Sequence, residues 1–158
     1  MTVDGVAVSS TGIRATLQRG DVATAARHLG RPYSISGPVT SGAGRGRTLG
    51  FPTANIEPTR PVLVALGVYR GLVEVEGRSY PAVVNVGVRP TFETGRGVLV
   101  ESYLIDQEAD MYGRQLRIAF IARLRGEKRF ETVEELTAQM ERDVEMAREL
   151  CAAFEPPR

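Results

Sequence analysis

The sequence predicts a mainly β domain: a small closed antiparallel barrel with a short helical extension before it and a long helix after it. Three observations carry this. Runs of alternating, β-branched residues fill the middle of the chain, from about Tyr33 to Leu124. No helical pattern separates those runs, so neighbouring strands are expected to be mostly antiparallel. A long three- and four-step apolar stripe then follows, from Val133 onward. Several short strands in a small domain favour closure, because closure removes exposed edges.

The helical signals at the start are local. Ser10 is placed to cap a helix through Ile13 and Leu17 that stops at Gly20, and Asp21 caps a second through Val22, Ala25 and Leu29, ended by Arg31-Pro32. Gly67 to Val75 reads as a strand, Glu76-Gly77 as a hairpin turn, and Ser79 to Val86 as the return. Val98 to Ile105 and Leu116 to Leu124 are two further strands. Thr132 and Glu135 form a capping-box pattern. Val133, Leu136, Met140, Val144, Ala147, Cys151 and Phe154 make the stripe expected to pack on the barrel, and Pro156-Pro157 stops the helix.

Composition narrows the function classes. The 158 residues suit one compact domain with a modest appendage. A net charge of +1 offers no broad basic field for a nucleic-acid backbone, and aromatics at 6% do not furnish an oligonucleotide-binding barrel with stacking platforms. No apolar stretch approaches the ~20 residues of a membrane span, and the first residues carry no signal-peptide pattern. With one cysteine, Cys151, no intrachain disulfide forms. A reducing cytoplasm is the expected setting. Cys151 lies on the apolar stripe and reads as a small core residue. His28 is the only histidine, which leaves neither a metal cluster nor a catalytic triad to build on it.

The chemistry concentrates in Gly42-Ala-Gly44-Arg-Gly46-Arg47-Thr-Leu-Gly50-Phe-Pro52-Thr53-Ala-Asn55. Glycines at this density let backbone approach a ligand, and successive N–H groups can cradle phosphate oxygens. Many Gly-Arg loops, however, are only flexible turns. The spacing is not that of a Walker A loop, since Ser41 and Arg47 stand where Gly and Lys belong, and no strand-to-helix context suits a dinucleotide fingerprint. Thr53 and Asn55 offer two hard oxygens on one side of an extended segment. Such a pair suits magnesium when ATP phosphates supply the anionic ligands, and spacing alone equally fits a turn with a polar cap.

Glu101 lies in Val98-Leu-Val-Glu101-Ser-Tyr-Leu-Ile105. Alternation puts Leu99, Glu101, Tyr103 and Ile105 on one face and Val98, Val100, Ser102 and Leu104 on the other. Glu101 is among apolar neighbours whichever face is inward, so desolvation is expected to raise its pKa. A carboxylate of this kind can orient an alcohol and take its proton in phosphoryl transfer. An outward charge on a half-exposed strand is the competing reading.

Taken together these segments resemble the signature of riboflavin kinases. Gly37-Pro-Val39-x-x-Gly42-x-Gly44-Arg-Gly46-Arg47-x-Leu-Gly50-Phe-Pro-Thr53-Ala-Asn55 matches its first motif. Asn85-Val-Gly87-Val-Arg-Pro90-Thr-Phe92, Glu101-Ser-Tyr-Leu-Ile-Asp106, Met111-Tyr112-Gly113 and Leu124-Arg125-Gly-Glu127-Lys-x-Phe130 follow in family order. The resemblance covers about Tyr33 to Phe154. It implies a six-stranded antiparallel Greek-key barrel with a long C-terminal helix. It also implies transfer of the γ-phosphate of ATP to the 5′-hydroxyl of riboflavin, giving FMN and ADP. By the same resemblance Thr53 and Asn55 hold Mg²⁺ and phosphate, and Glu101 is the catalytic base. Gly42, Gly44, Gly46, Arg47 and Thr53 bind the nucleotide, and riboflavin lies between the barrel mouth and the start of the last helix, near Arg125.

Two departures stand out: Gly126 where the family usually has Pro, and Tyr103 where His is common. The alternative is a non-catalytic flavin- or nucleotide-binding barrel, which gives no reason for Pro52-Thr53-Ala-Asn55 beside an arginine-glycine loop.

Residues 1–32 resemble something else. Val8-Ser9-Ser10-Thr11-x-Ile13-Arg14, Gly20-Asp21 and Leu29-Gly30-Arg31-Pro32-Tyr33 are similar to the junction in bacterial bifunctional FAD synthetases, where the adenylyltransferase module leads into the kinase. The expected division is therefore a helical extension over 1–32 and a kinase domain over 33–158. The rest of the adenylyltransferase module is expected to be absent, so no FMN adenylyltransferase activity is expected. The expected ligands are riboflavin or FMN and ATP or ADP, with no nucleic acid and no membrane.

Overall fold

Six antiparallel strands close into a barrel in a computed structural model that describes residues 2–3, 5–40, 53–89, 97–106 and 111–153. A two-residue hairpin, β1 (Thr2–Val3) with β2 (Val6–Ala7), precedes α1 (Ser10–Gln18) and α2 (Val22–Leu29). The barrel strands are β3 (Ser34–Thr40), β4 (Ala54–Ile56), β5 (Gly67–Val75), β6 (Arg78–Arg89), β7 (Gly97–Leu104) and β8 (Gln115–Arg125). The final helix, α3, spans Val133–Ala153. Around the barrel the order is β3-β4-β7-β6-β5-β8, and β8 returns to pair with β3.

Local chemistry explains the element ends. Ser9, not Ser10, caps α1: its hydroxyl accepts from the Gly12 N–H at 3.0 Å. The cap sits one residue earlier because Ser9 holds the extended backbone a cap requires, while Ser10 is already helical. Asp21 caps α2 as expected, accepting from the Thr24 N–H at 3.1 Å. Gly30 ends α2 in the left-handed conformation, so it, rather than Arg31-Pro32, supplies the stop. Glu76 and Gly77 both have positive φ, 50° and 78°, the geometry of a tight hairpin whose twist matches its strands. Thr132 Oγ1 accepts from the Glu135 N–H at 3.1 Å at the head of α3, while the Glu135 carboxylate reaches back to the Glu131 N–H. The β6, β7 and β8 runs extend or shift by one to three residues from their expected ends.

The barrel interior is apolar. Val73, Ala82, Val84, Val86, Val100, Ile118 and Phe120 are fully buried. Phe120 meets Tyr69 edge-on at 5.1 Å between centroids and stacks with Tyr33 at 5.8 Å. Burying each such side chain contributes roughly 1.5–3 kcal/mol. Leu17, Val22 and Ala25 from the two short helices belong to the same cluster. A backbone bond ties α1 to the barrel: the Ala65 N–H donates to the Leu17 carbonyl at 3.1 Å, and beside it Arg123 Nη2 of β8 donates to the Leu66 carbonyl at 2.7 Å.

Helix α3 covers the outside of the barrel. Val144 and Ala147 pack with Ile105 against Val83, Tyr103 and Leu124. The stripe is not uniformly apolar or uniformly covered. Val133 is half exposed, while Gln139 and Asp143 are buried on the packed side. A helix that lies on a sheet's outer face meets backbone and charged strand ends there, so polar groups on its inner side find partners. The side chain of Cys151, together with Phe154, Pro156 and Pro157, lies outside the described residues. Among the described residues no helix is long and apolar enough to cross a membrane.

Candidate active site

The register of β7 decides what faces Glu101. Val100, Ser102 and Leu104 are buried in the barrel, so Glu101 and Tyr103 project from its outer face. Glu101 pairs directly with Asn55 of β4 on one side and with Asn85 of β6 on the other. Asn55 in turn pairs with Thr40, Asn85 with Val68, and Val68 with Arg125. Directly opposed residues share a face. The outer face therefore carries one level of opposed residues, Thr40, Asn55, Glu101, Asn85 and Val68, with Asn55 and Val68 themselves buried, and Arg125 stands beside Val68 next to a bulge in β5 and β8.

Thr53 immediately precedes β4, and its hydroxyl donates to the Glu101 carboxylate. Glu101 is half-buried, and that burial raises its pKa above the ordinary 4.5; the Thr53 hydrogen bond pulls the other way with smaller effect. Asn55 is buried at 8% exposure. A hydroxyl, an amide and a carboxylate from segments nearly fifty residues apart thus converge on one patch. Among the described residues no group of three or more His, Cys, Asp or Glu side chains could hold a metal. The donor set that does exist is hard oxygen with one carboxylate, which suits Mg²⁺ only with further oxygen ligands from a phosphate-bearing substrate.

Arg125 ends β8 on the same level. Its guanidinium grips Asp143 of α3 through Nε–Oδ1 at 2.9 Å and Nη2–Oδ2 at 2.8 Å, and Nη1 donates to the Gly126 carbonyl at 3.1 Å. The guanidinium also lies 5.8 Å from the Phe130 ring centroid. Gln139 Nε2 donates to Asp143 Oδ1 at 2.9 Å, and Gln139 Oε1 accepts from Arg142 at 3.0 Å. Arg125 is thus the hinge pin between the last strand, the 126–132 segment and α3. Glycine at 126 does not leave that segment unattached.

The structure brings together Thr53, Asn55 and Glu101, and sets Arg125 three strands beyond Glu101 around the barrel. Gly42, Gly44, Gly46 and Arg47 lie outside the described residues. Sequence reasoning did not single out Asp143 and Gln139. Their signal was two polar residues four apart inside an apolar stripe, where each is expected to need a partner. Nor did it connect Asn85 to Glu101, because only strand pairing joins them.

Comparison with known proteins identifies a family and a fold. The riboflavin kinase (flavokinase) family model matches residues 29–151. A bifunctional riboflavin kinase/FMN adenylyltransferase of Pseudomonas fluorescens is 41% identical over 150 residues, covering 95% of this chain and 48% of the relative. That of Bacillus subtilis is 42% identical over 143 residues, covering 89% and 45%. The chain spans about half the length of the curated relatives it matches. Among solved structures, a protein from Streptococcus pneumoniae described as a macrolide-efflux protein superposes with a TM-score of 0.86 at 34% identity, over 92% of this chain and 48% of that one. The riboflavin kinase of Trypanosoma brucei superposes with a TM-score of 0.55 at 28% identity, over 77% and 80%. With two motifs converging on Glu101 and a family model that spans the barrel, this chain belongs to the riboflavin kinase family.

Proposed function

We propose that this chain transfers the γ-phosphate of ATP to the 5′-hydroxyl of riboflavin, releasing FMN and ADP. The observation that carries the reading is the hydrogen bond from Thr53 to Glu101 beside Asn55. It joins the two sequence segments that a kinase of this kind needs in one place. In the proposed reaction the riboflavin 5′-oxygen bonds to the γ-phosphorus as the bond to the ADP oxygen breaks. The hydroxyl proton passes to the Glu101 carboxylate. Burial favours this role, because a carboxylate with a raised pKa is a better proton acceptor.

Thr53 and Asn55 would hold Mg²⁺ together with ATP phosphate oxygens. When bound, that ion neutralises phosphate charge. Thr53 also fixes the Glu101 carboxylate through its hydroxyl. Arg47 and the glycines at 42, 44 and 46 are proposed to cover the nucleotide. Arg125 holds the 126–132 segment over the outer face and has N–H groups left to meet the flavin. The reading also places the chain in the cytoplasm, supported by its single cysteine.

We further propose that the chain stops at FMN. A single histidine and a sheet that is wholly antiparallel among the described residues support this, since neither suits a second, adenylyl-transferring nucleotide site. One incubation tests both statements: pure protein with riboflavin, ATP and Mg²⁺, followed by separation of flavins. FMN and ADP in equal amounts are expected, with no FAD. Absence of FMN refutes the kinase reading, and FAD formed by protein free of contaminating enzyme refutes the second statement.

A further inference from the structure

Asn85 is the neighbour of Glu101 that the reaction above does not use. Strand β6 buries Ala82, Val84 and Val86 completely, so Val83, Asn85 and Gly87 face outward. Their surroundings differ. Val83 is packed under α3. Asn85 is exposed, and its side chain hydrogen-bonds to no described residue. Gly87 is buried, and a Cβ there would stand 3.3 Å from Glu127 Oε1, so the Glu127 carboxylate covers the strand at that point. The result is a trough across β6, with Glu101 to one side, Glu127 at one end and Asn85 on the floor. Asparagine is disfavoured in strands. Among the described residues its amide makes no hydrogen bond in return.

We propose that Asn85 is a substrate-positioning residue that hydrogen-bonds the secondary hydroxyls of the acceptor's ribityl chain. This rests on the kinase reading and on Glu101 receiving the terminal hydroxyl. A secondary hydroxyl both donates and accepts. A carboxylate only accepts, whereas a primary amide adds two donors and an acceptor. Directly opposed side chains stand ~5 Å apart at Cβ, a distance a short run of carbons covers. A chain whose terminal hydroxyl meets Glu101 therefore passes its next hydroxyls over Asn85.

The test compares two acceptors: riboflavin, and a flavin bearing a hydroxypentyl chain that keeps the terminal hydroxyl and lacks the secondary ones. Asn85→Ala is expected to lower kcat/KM for riboflavin about tenfold, the loss of one or two hydrogen bonds. For the hydroxypentyl flavin the change is expected to stay within about twofold. Asn85→Ser, which keeps a donor and an acceptor, is expected to recover part of the loss. An equal loss on both acceptors overturns the assignment, since Asn85 then acts on Glu101 or on the fold. No loss on riboflavin overturns it as well. Wild-type protein that phosphorylates neither flavin removes the kinase reading and this assignment with it, and that arm alone reveals it.

Discussion

Arg125 and Asp143 meet through two parallel hydrogen bonds, 2.9 and 2.8 Å long, that fasten the end of β8 to the middle of α3. Asp143 is 3% exposed, so its charge is tolerated only because Arg125 and Gln139 satisfy it. Asp143→Ala leaves a partly buried guanidinium without its partner, and a loss of about 3 kcal/mol in unfolding free energy is expected. Arg125→Lys keeps the charge and loses the fork, so an intermediate loss is expected. Urea unfolding of the two variants, read at the midpoint with unchanged slope, checks both. A midpoint for Asp143→Ala equal to wild type would show that the pair contributes nothing.

Glu101→Gln is expected to reduce kcat by at least about a hundredfold, the lower end of what a positioned base contributes. Affinity for Mg·ADP is expected to change little, because the proposed reaction assigns Glu101 to the acceptor. Stability carries a second signature. Burial raises the folded-state pKa of Glu101 above 4.5. Its favourable contribution is then full below the unfolded value and is lost as pH rises through the folded value. Glutamine cannot ionise, so the variant is expected to keep its stability across that window, while wild type declines. Single-turnover FMN formation and melting temperature against pH measure the two effects separately.

Thr53→Ala removes a hydrogen bond that lowers the Glu101 pKa. If turnover falls only through loss of a ligand for Mg²⁺, the residual activity keeps its acidic limb. The expectation is that turnover falls and that the acidic limb of kcat/KM also moves to higher pH, because burial then acts on Glu101 unopposed. A limb that stays in place with full activity would remove Thr53 from the site.

Gly37 lies in β3 beside Glu57, the residue that follows β4. A Cβ there would stand 1.9 Å from the Glu57 carbonyl oxygen and 2.7 Å from its carbon. Backbone, unlike a flexible side chain, cannot step aside. Gly37→Ala is expected to cost about 2–3 kcal/mol through displacement of β4. Thr53 and Asn55 would move with that strand, so activity is expected to fall even where the variant remains folded. Thermal melting and FMN formation together check this.

Gly126→Ala is expected to act in the opposite direction. A Cβ at 126 meets only Arg123 Nη2, at 3.7 Å, and Gly126 is not among the residues with positive φ. Removing glycine's freedom from the unfolded chain at such a position stabilises by about 0.4–1 kcal/mol. A rise in the unfolding midpoint is expected, and a fall would mean that 126–132 needs a conformation only glycine supplies.

The sequence by itself determined what short-range physics encodes. The Asp21 and Thr132 caps, the Glu76-Gly77 turn and the β5 and β7 runs each depend on residues within a few positions of one another, and each is present where expected to within a few residues. The alternation that separated Glu101 from Val100 and Ser102 was equally legible, since successive strand residues must point to opposite faces.

Which of those faces turns inward was decided only by closure of the barrel, because both faces of β7 carry apolar residues. Tertiary structure also decided that Thr53, Asn55 and Asn85 surround Glu101, that Arg125 holds a buried Asp143, and that Leu17 and Ala25 complete the barrel core. Most of these join segments tens of residues apart; Asn85 and Glu101 are joined across a loop, and Arg125 and Asp143 across a turn and half a helix. No local pattern specifies such a pairing. It is selected by the joint burial of all six strands, which no single stretch of chain contains.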